Sequence, residues 1–299
     1  MKILAIIISY NFERWLSVCL NSLHESVFPV DVIVIDNHST DKTVPRIKTE
    51  YPKVRLIINQ SNLGFGAANN IGIKIALQEN YDAVFLLNQD AWIDSQTIGT
   101  LFQLSRKCPQ YGILSPVHLN GKGDAIDQGF AVYAGVRTID EFPSGSVPMQ
   151  CSFINAAFWM IPSAVLRTVG GFSPLFRHYG EDKDYINRLK YHGYSVGYSS
   201  SVFGFHDREC RTTMSRKMFF HSEKVYLLSE YANINYSCSQ AFGYGILAGI
   251  QKALQSITHG KLKDSKKYIS IVIDLLKRTS RVLKTRCETR YKKANYIQL

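Results

Sequence analysis

The chain has 299 residues, of which 45% are apolar and 20% are charged. A chain of this length can bury a substantial core, and its charged fraction is too low for an intrinsically disordered protein. The formal net charge of +11 is concentrated after residue 250, where thirteen Lys and Arg accompany only three acidic residues. Because the rest of the chain is nearly neutral, the composition argues against a protein that binds nucleic acid along its whole length.

The first apolar run, ILAIIISY at residues 3–10, follows a single lysine and has no small-residue cleavage site. It is too short to span a bilayer, so it predicts a first strand rather than a signal peptide. The six cysteines are scattered, without zinc-ligand spacing, and they predict free thiols in a reducing compartment. We therefore expect a cytoplasmic protein with unpaired Cys19, Cys108, Cys151, Cys210, Cys238 and Cys287.

Strands and helices are predicted to alternate through about residue 105. Helical spacing follows the first strand, in ERWLSVCLNSLHES, and a Gly- and Asn-rich loop leads into another helix after the third strand. Such alternation indicates a parallel sheet covered on both faces, whose carboxyl strand ends line one crevice. The four predicted strands all end in polar residues: KILAIIISYN, VDVIVIDNHSTD, VRLIINQ and YDAVFLLNQD.

The region from about 110 to 210 is less regular. Its Gly-rich part, from SPVHLNGKGD to PSGSVP, predicts a β-excursion or a long loop. CSFINAAFWMIPSAVL predicts a strand and then a helix that starts at Pro162-Ser163, and YGEDKDYINRLKYHG predicts a helix closed by Gly193. YSVGYSSSVFGFHD predicts a pair of strands, and from about residue 215 onward the pattern is helical.

The fourth strand ends in Asn88, Gln89 and Asp90. A carboxylate at this end of an α/β sheet lies where such folds bind ligands, and it can hold a hard metal ion that in turn holds a diphosphate. Asp36 ends the second strand in the same way, among acceptor atoms that suit a nucleobase or a ribose. In both places the alternative is a residue that only caps a turn or a helix.

Three further groups are candidates for a site. NLGFGAANN at 62–70 lacks the third glycine of a dinucleotide fingerprint, so it indicates either a tight turn or a ligand-binding loop. Glu181, Asp182 and Asp184 begin a predicted helix, where they either favour the helix dipole or include a general base. His206 is either a packed histidine or, with Asp90, a mixed oxygen–nitrogen ligand pair for Mn²⁺ or Mg²⁺.

These stretches, in this order, resemble the inverting glycosyltransferases of family 2, which have the GT-A fold. The resemblance covers roughly residues 3–210, and it is nearest to the bacterial rhamnosyltransferase-like subgroup that builds O-antigen and capsule. No single motif is decisive, but six in the right order are specific. They are IISYN at 7–11, VIVIDNHSTD at 32–41, NLGFGAANNIG at 62–72, LLNQD at 86–90, VGGFSPLFRHYGEDKDYINRLKYHGY at 169–194 and GFHD at 204–207.

The resemblance implies an α/β fold, a mostly parallel, Rossmann-like sheet with helices on both faces. It implies a catalytic domain over residues 1–214, with a nucleotide-sugar-binding half at 1–105 and an acceptor-binding half at 106–214. A helical basic region at 215–299 would follow this domain. Within that region, 268–286 combines an apolar stripe with a basic face, which suits either an anionic membrane surface or packing on the domain.

The resemblance also implies roles for individual residues. Asp182 would be the catalytic base, and Asp90 and His206 would hold Mg²⁺ or Mn²⁺. The acceptor would contact Glu181, Ala156 and Trp159. The nucleotide-sugar donor would contact Tyr10, Asn11, Asp36, Asn62, Gly64, Phe65, Asn69, Asn88, Gln89 and Asp90.

The implied reaction transfers rhamnose or a similar sugar, with inversion, to a hydroxyl of a saccharide acceptor. The donor would be dTDP- or UDP-linked and the acceptor lipid-linked. The enzyme would be cytoplasmic, either free or peripheral on the inner face of the cell membrane, and would bind no nucleic acid. Three features depart from the family pattern. Asn88 and Gln89 replace residues of the DXD-like motif, Asn155-Ala156-Ala157 replaces a Gly-Ala segment, and only Arg216 and Lys217 offer a cation after the histidine.

Two other functions are compatible with parts of the sequence. A nucleotidyltransferase shares a nucleotide-binding α/β core, but it needs a Gly-rich basic loop after the first strand, and SYNFERW lacks one. A non-catalytic module that binds a nucleotide sugar or a saccharide would not need the Glu181-Asp182 pair. Both carboxylates are present, which favours the enzyme.

Overall fold

The computed structural model describes residues 1–142, 145, 147–208 and 215–297. Nine strands of this described part form one mixed sheet. They are β1 (Ile3–Ser9), β2 (Asp31–Asp36), β3 (Arg55–Ile58), β4 (Ala83–Asn88), β5 (Ala91–Ile93), β6 (Tyr111–Asn120), β7 (Met149–Cys151), β8 (Phe158–Pro162) and β9 (Ser195–His206).

The helices of the described residues cover the sheet and form the C-terminal region. They are α1 (Leu16–His24), α2 (Thr43–Glu50), α3 (Phe65–Gln78), α4 (Thr97–Lys107), α5 (Gln128–Ala134), α6 (Ser163–Val169), α7 (Glu181–Tyr191), α8 (Arg216–Ala232), α9 (Cys238–Phe242), α10 (Ala248–Thr258), α11 (Leu262–Lys277) and α12 (Thr279–Glu288). A short 3₁₀ turn spans Ile139–Glu141, and a π-helical turn, Gly243–Leu247, joins α9 to α10.

The first four strands confirm the predicted parallel arrangement. Their spatial order is β3-β2-β1-β4, and β1 pairs in parallel with both β2 and β4. Side chains of a strand alternate between the two faces of the sheet. Accordingly, Leu4 and Ile6 pack in the core beneath α3, whereas Ile3, Ala5 and Ile7 pack in the core beneath α1 and α4. Burial on both faces explains why β1 is a continuous apolar run.

The second half of the sheet is mixed, in the order β4-β8-β6-β9-β5, and β7 pairs with β9. The prediction of a strand followed by a helix at Pro162-Ser163 is confirmed by β8 and α6. Two other predictions are wrong. β9 is a single strand with an irregular register beside Pro116 and Val117, not a pair of strands, and α5 forms within the stretch predicted as a β-excursion or loop.

The region after residue 215 is helical, as predicted, and has its own apolar core, which includes Leu227, Tyr231 and Leu275. The segment 268–286 is not one helix, because α11 ends at Lys277 and α12 begins at Thr279. The end of the chain returns to the sheet domain, where Gly171 N donates to Asn295 O (2.8 Å). Ile297 is buried there in the main core.

The cysteines of the described residues are free thiols: Cys19, Cys108, Cys151, Cys238 and Cys287. Cys210, also predicted to be unpaired, lies outside the described residues. Among the helices that the structure describes, none combines the length and the apolar character needed to cross a membrane.

Candidate active site

The carboxyl ends of three central strands lie side by side. Ser9, the last residue of β1, is in register with Asp36 at the end of β2, and Ile8 is in register with Asn88 at the end of β4. The polar residues that follow these strands therefore face one crevice at the sheet edge, as the alternation of strands and helices predicts.

Asp90 and His206 meet at this edge, although 116 positions separate them in the sequence. The chain turns after β4 directly into β5, and β5 runs antiparallel to β9, with Ala91 in register with His206. The Nε2 atom of His206 lies 3.1 Å from Oδ1 of Asp90. His206 is buried, whereas the Asp90 side chain is partly exposed. The pair thus presents a carboxylate edge to the crevice.

The residue after His206 secures this pair to the first helix. Asp207 N donates to Asp90 O (2.9 Å), and the Asp207 carboxylate accepts hydrogen bonds from Arg14 Nη2 (2.9 Å) and Trp15 Nε1 (2.8 Å). The pairing of β5 with β9 therefore holds Asp90 and His206 on one side, and the hydrogen bonds of Asp207 with Arg14 and Trp15 hold them on the other.

The ligand types of the pair are those of a hard divalent ion. A carboxylate oxygen and an imidazole nitrogen suit Mn²⁺ or Mg²⁺. His206 Nδ1 is buried without a hydrogen-bond partner in the described chain, so Nε2 is the atom of this ring that faces a polar group. No group of three His, Cys, Asp or Glu ligands occurs among the described residues. An ion held here would therefore need oxygens from a ligand such as a diphosphate.

Tyr10, Asn11 and Gln89 form a hydrogen-bonded rim beside β1. Tyr10 N donates to Gln89 Oε1 (2.8 Å), and Gln89 Nε2 donates back to Tyr10 O (3.2 Å). Asn11 has φ +53 and accepts from Thr40 N at its Oδ1 (2.9 Å). The Tyr10 ring is exposed. These hydrogen bonds fix the backbone of the rim and leave the Tyr10 ring accessible.

Asp36 lies at the same edge but is completely buried. Its carboxylate accepts hydrogen bonds from Ser9 Oγ (2.8 Å), Ser39 N (2.8 Å) and Ser39 Oγ (2.5 Å). Asp36 thus orders the loop after β2. A direct contact between Asp36 and a nucleotide stays a prediction, and it would require Ser39 to release an oxygen.

The loop before α3 and the start of that helix contain four predicted donor-binding residues, which have different surroundings in the structure. Asn62 Oδ1 accepts from Gly64 N (2.9 Å), and Gly64 has φ +85 with the Arg177 carbonyl oxygen directly against it. Phe65 faces the cavity described below. The expectation that Asn69 contacts a donor is wrong, because Asn69 is 1% exposed and donates to Phe65 O (3.0 Å) inside its own helix.

A cavity of about 740 Å³ opens where α7 begins. Five predicted site residues line it: Phe65, Asn88, Ala156, Glu181 and Asp182. Sequence reasoning assigned no individual role to the other seven lining residues, of which only His178 and Tyr179 lie inside one of the six quoted motifs. These are Tyr133, Asn155, Ala157, His178, Tyr179, Arg208 and His221.

The two carboxylates of this cavity begin α7 for a local reason. Gly180, at φ +87, ends the preceding loop, and carboxylates in a first helical turn are stabilised by the helix dipole. Burial raises the pKa of Glu181 to about 7, with a smaller contribution from the neighbouring Asp182 charge. Burial likewise raises the pKa of Asp182. Glu181 Oε2 is buried without a partner among the described residues. Two poised carboxylates in a cavity are suited to proton transfer.

Asp184, the third carboxylate of this turn, has a structural role. It is buried and pairs with Arg188, whose Nε lies 2.8 Å from Asp184 Oδ2. Arg188 also donates to Val169 O (2.9 Å) and Gly171 O (2.8 Å). The pair fixes α7, and hence Glu181 and Asp182, against the loop after α6.

Two expectations for this region are corrected. Trp159 was expected to contact the acceptor, but it is completely buried, stacks on Phe172 in the core and does not line the cavity. Arg216 forms an ion pair with Asp264 in the C-terminal region, so Arg208 rather than Arg216 brings a cation to the cavity.

We expect Glu181→Gln to change the pH dependence of stability. The pKa of Glu181 is raised from 4.5 to about 7 in the folded state. Between these pH values the carboxyl is ionised in the unfolded state but still protonated in the folded state, so the free energy of unfolding falls as the pH rises. The variant lacks this loss, so its stability relative to the wild type should rise by about 3 kcal/mol between pH 4 and pH 8. Urea unfolding at both pH values measures it, with the exposed Glu25→Gln as the control. A constant difference would contradict the assigned shift.

The fold is of the GT-A type. A solved structure of GalNAc-T7 with UDP, GalNAc and Mn²⁺ superposes with a TM-score of 0.63 at 12% identity, covering 99% of this chain and 56% of that one. At this identity the likeness establishes the fold alone.

The sequence comparisons find a family match in the first part of the chain. Residues 4–135 match the family Glycosyl transferase family 2, so the predicted resemblance is confirmed over those residues. The low-salt glycan biosynthesis hexosyltransferase Agl10 of Haloferax volcanii is 23% identical over 74% of this chain and 71% of its own. The N-acetylglucosaminyl-diphospho-decaprenol L-rhamnosyltransferase of Mycobacterium tuberculosis is 24% identical over a stretch that covers 60% of this chain and 67% of the relative. These findings support a role in glycosyl transfer.

Proposed function

We propose that the chain transfers a hexose, rhamnose or a similar sugar, from a dTDP- or UDP-linked donor to a hydroxyl of a saccharide acceptor, with inversion. One observation carries the proposal: a cavity holding Asp182 and Glu181 opens at the sheet edge that carries Asp90 and His206. This arrangement separates a proton-accepting group from a metal-binding pair, as a displacement at a sugar carbon requires.

The donor nucleotide would lie along the rim formed by Tyr10 and Asn11, with its diphosphate at the end of β4. Asp90 and His206 would hold Mg²⁺ or Mn²⁺ there together with the diphosphate oxygens. The bound ion supplies positive charge that stabilises the leaving diphosphate. Arg208, which lines the cavity and donates to Asp127 Oδ1 (3.3 Å), brings a fixed positive charge to the same side.

Asp182 would act as the base. It accepts the proton of an acceptor hydroxyl while that oxygen forms a bond to the anomeric carbon of the donor. The bond from this carbon to the diphosphate oxygen breaks at the same time, and the nucleoside diphosphate leaves with the electron pair. A single displacement from the opposite face inverts the anomeric configuration. Glu181 and Ala156 would contact the acceptor, because they line the same cavity.

The acceptor would be lipid-linked, and the reaction would serve bacterial surface-polysaccharide synthesis. The name of the Mycobacterium tuberculosis relative, which specifies a diphospho-decaprenol acceptor and L-rhamnose, supports this choice. The exposed aromatic ring of Tyr179 and the Tyr133 ring at the cavity offer stacking surfaces for a sugar. An acceptor of this kind would place the enzyme peripherally on the inner face of the cell membrane.

Calorimetric binding of dTDP, UDP and GDP, each with and without Mn²⁺, tests the proposed donor class. We expect one nucleotide to bind in a metal-dependent manner, and the sugar that it carries can then be screened for turnover. Binding of a nucleotide sugar without turnover on any saccharide acceptor would instead favour a non-catalytic module. Failure of all three nucleotides to bind would contradict the proposal.

We expect Asp90→Asn to weaken Mn²⁺-dependent nucleotide binding by at least about tenfold, because it removes the anionic ligand of the pair. Binding measured without metal should change little. The matched control is Asp82→Asn, since Asp82 lies beyond the opposite end of β4 and accepts a hydrogen bond from Lys2 N (2.7 Å). Equal affinity of Asp90→Asn and the wild type in Mn²⁺ would remove Asp90 from the metal site.

A further inference from the structure

Helices α10 and α11 carry apolar residues on their outer faces as well as on their inner faces. In α11, Ile269, Ile273 and Leu276 recur at helical spacing and are all nearly half exposed, whereas Tyr268 and Leu275 are buried. We call the exposed set the apolar platform. It consists of Leu247, Ile250, Leu254 and Ile257 beside or within α10, and of Leu262, Ile269, Ile273 and Leu276 in α11.

Five of the eight platform residues lie together along one groove: Ile250, Leu254, Ile257, Ile269 and Ile273. This groove of about 220 Å³ runs between the two helices, and seven of the eight residues that line it are aliphatic or alanine. Leu254 and Ile257 contribute from α10, and Ile269 and Ile273 contribute from α11. A contiguous apolar surface of this kind normally marks an interaction site.

Lysines border the platform. The hairpin of α10 and α11 has two acidic residues, Asp264 and Asp274, and both form ion pairs, with Arg216 and with Lys224 and Arg278 respectively. The exposed lysines Lys261, Lys263, Lys266, Lys267 and Lys277 therefore give the hairpin a positive charge. In a helix with 3.6 residues per turn, Lys266 and Lys277 fall on the edge of the stripe formed by Ile269 and Ile273.

Helix α8 lies between the platform hairpin and the cavity and contacts both. His221 of α8 lines the cavity. Two positions later, Glu223 accepts hydrogen bonds from Lys252 of α10 and from the Tyr268 hydroxyl of α11 (2.8 Å). Because an α-helix with its side chains is about 10–12 Å across, the hairpin that carries the platform lies one helix away from the cavity wall.

We propose that the apolar platform docks on a lipid bilayer that contains anionic lipid. Aliphatic side chains with a basic border match the acyl and headgroup layers of such a surface. A two-fold contact between copies of this chain would bring the lysine borders of the platform together, which disfavours a dimer. The purpose of docking rests on the proposed lipid-linked acceptor, which would reach the cavity from the same membrane.

Flotation of the full chain with vesicles tests the proposal without any glycosyl transfer. We expect flotation with vesicles of phosphatidylglycerol and phosphatidylcholine, and little with phosphatidylcholine alone or at high salt. Leu254→Glu and Ile273→Glu should each lower partitioning by at least about tenfold, since each removes an inserting side chain and adds a negative charge. Val27→Glu, at an exposed valine far from the hairpin in sequence, is the matched control.

Point variants are preferable to a truncation at residue 250, because that truncation would remove core residues such as Val272, Leu275 and Ile297. Calorimetric binding of UDP in Mn²⁺ shows whether each variant retains its donor site. If no nucleotide binds but flotation follows the expected pattern, only the proposed function fails. Flotation that is unaffected by either substitution, or a platform-dependent dimer in place of vesicle binding, would overturn the docking proposal.

Discussion

We expect Asp182→Asn to lower turnover by about 10²- to 10⁴-fold, the usual contribution of a general base, while donor binding is retained. The amide has nearly the same shape as the carboxylate but cannot accept the hydroxyl proton. Asp182 lines the cavity, and its carboxylate accepts a hydrogen bond from Lys183 N (2.8 Å). Initial rates at saturating donor, together with calorimetric binding of the nucleotide, separate the loss of chemistry from a loss of binding.

Two further variants make this result specific. Asp124→Asn is the control, because Asp124 is exposed in the loop after β6 and pairs with Asn120 rather than with the cavity. Glu181→Gln tests the neighbouring carboxylate. Full turnover in Asp182→Asn combined with a large loss in Glu181→Gln would reverse the roles of the two residues. Burial raises the pKa of Asp182, so the wild-type rate should rise with pH as this carboxyl ionises.

The first half of the fold follows from local sequence patterns. β1, β2 and β4 are buried on both faces, so each is a continuous apolar run that ends where the chain leaves the core. The polar residues after these runs lie at one sheet edge because parallel strands share a direction. Asn88, Gln89 and Asp90 could be placed at that edge from the sequence for this reason alone.

The pairing of Asp90 with His206 depends on long-range topology. It requires that β5 return beside β9, and β5 has only three residues, too few for a period to be recognised. Residue types offered the pair only as one of two interpretations of His206, and the family resemblance then implied it. Arg208 and His221 were missed for a similar reason, since neither belongs to a local motif that distinguishes a cavity residue from a surface residue.

The wrong assignments share one cause, which is that burial cannot be read from residue type. Asn69 lies in a Gly- and Asn-rich loop pattern, yet in the structure it belongs to α3 and satisfies its amide inside that helix. Trp159 lies four residues after a cavity residue, Asn155, but its strand directs it into the core. In a strand, alternation decides whether a side chain faces the core or the site, and the alternation can be assigned only when the register of the strand is known.

We expect Arg188→Met to lower the free energy of unfolding by about 3–5 kcal/mol, because it leaves the buried Asp184 carboxylate without its cation. Arg188 is 1% exposed, and its guanidinium also satisfies the Val169 and Gly171 carbonyl oxygens. Urea denaturation at neutral pH measures the loss. The double variant Asp184→Asn/Arg188→Met should recover part of the stability, since it buries no unpaired charge.

The chain contains an exposed counterpart of this ion pair. Asp274 and Arg278 have the same order and spacing at the end of α11, and the same 2.8 Å distance joins Nε to Oδ2. Both side chains are about one-third exposed, however, and Asp274 also pairs with Lys224. Arg278→Met should therefore cost less than about 1 kcal/mol. Equal losses in the two arginine variants would mean that burial does not govern the α7 pair. A selective loss in Arg188→Met would instead show that the buried Asp184–Arg188 pair stabilises the fold more than its exposed counterpart does.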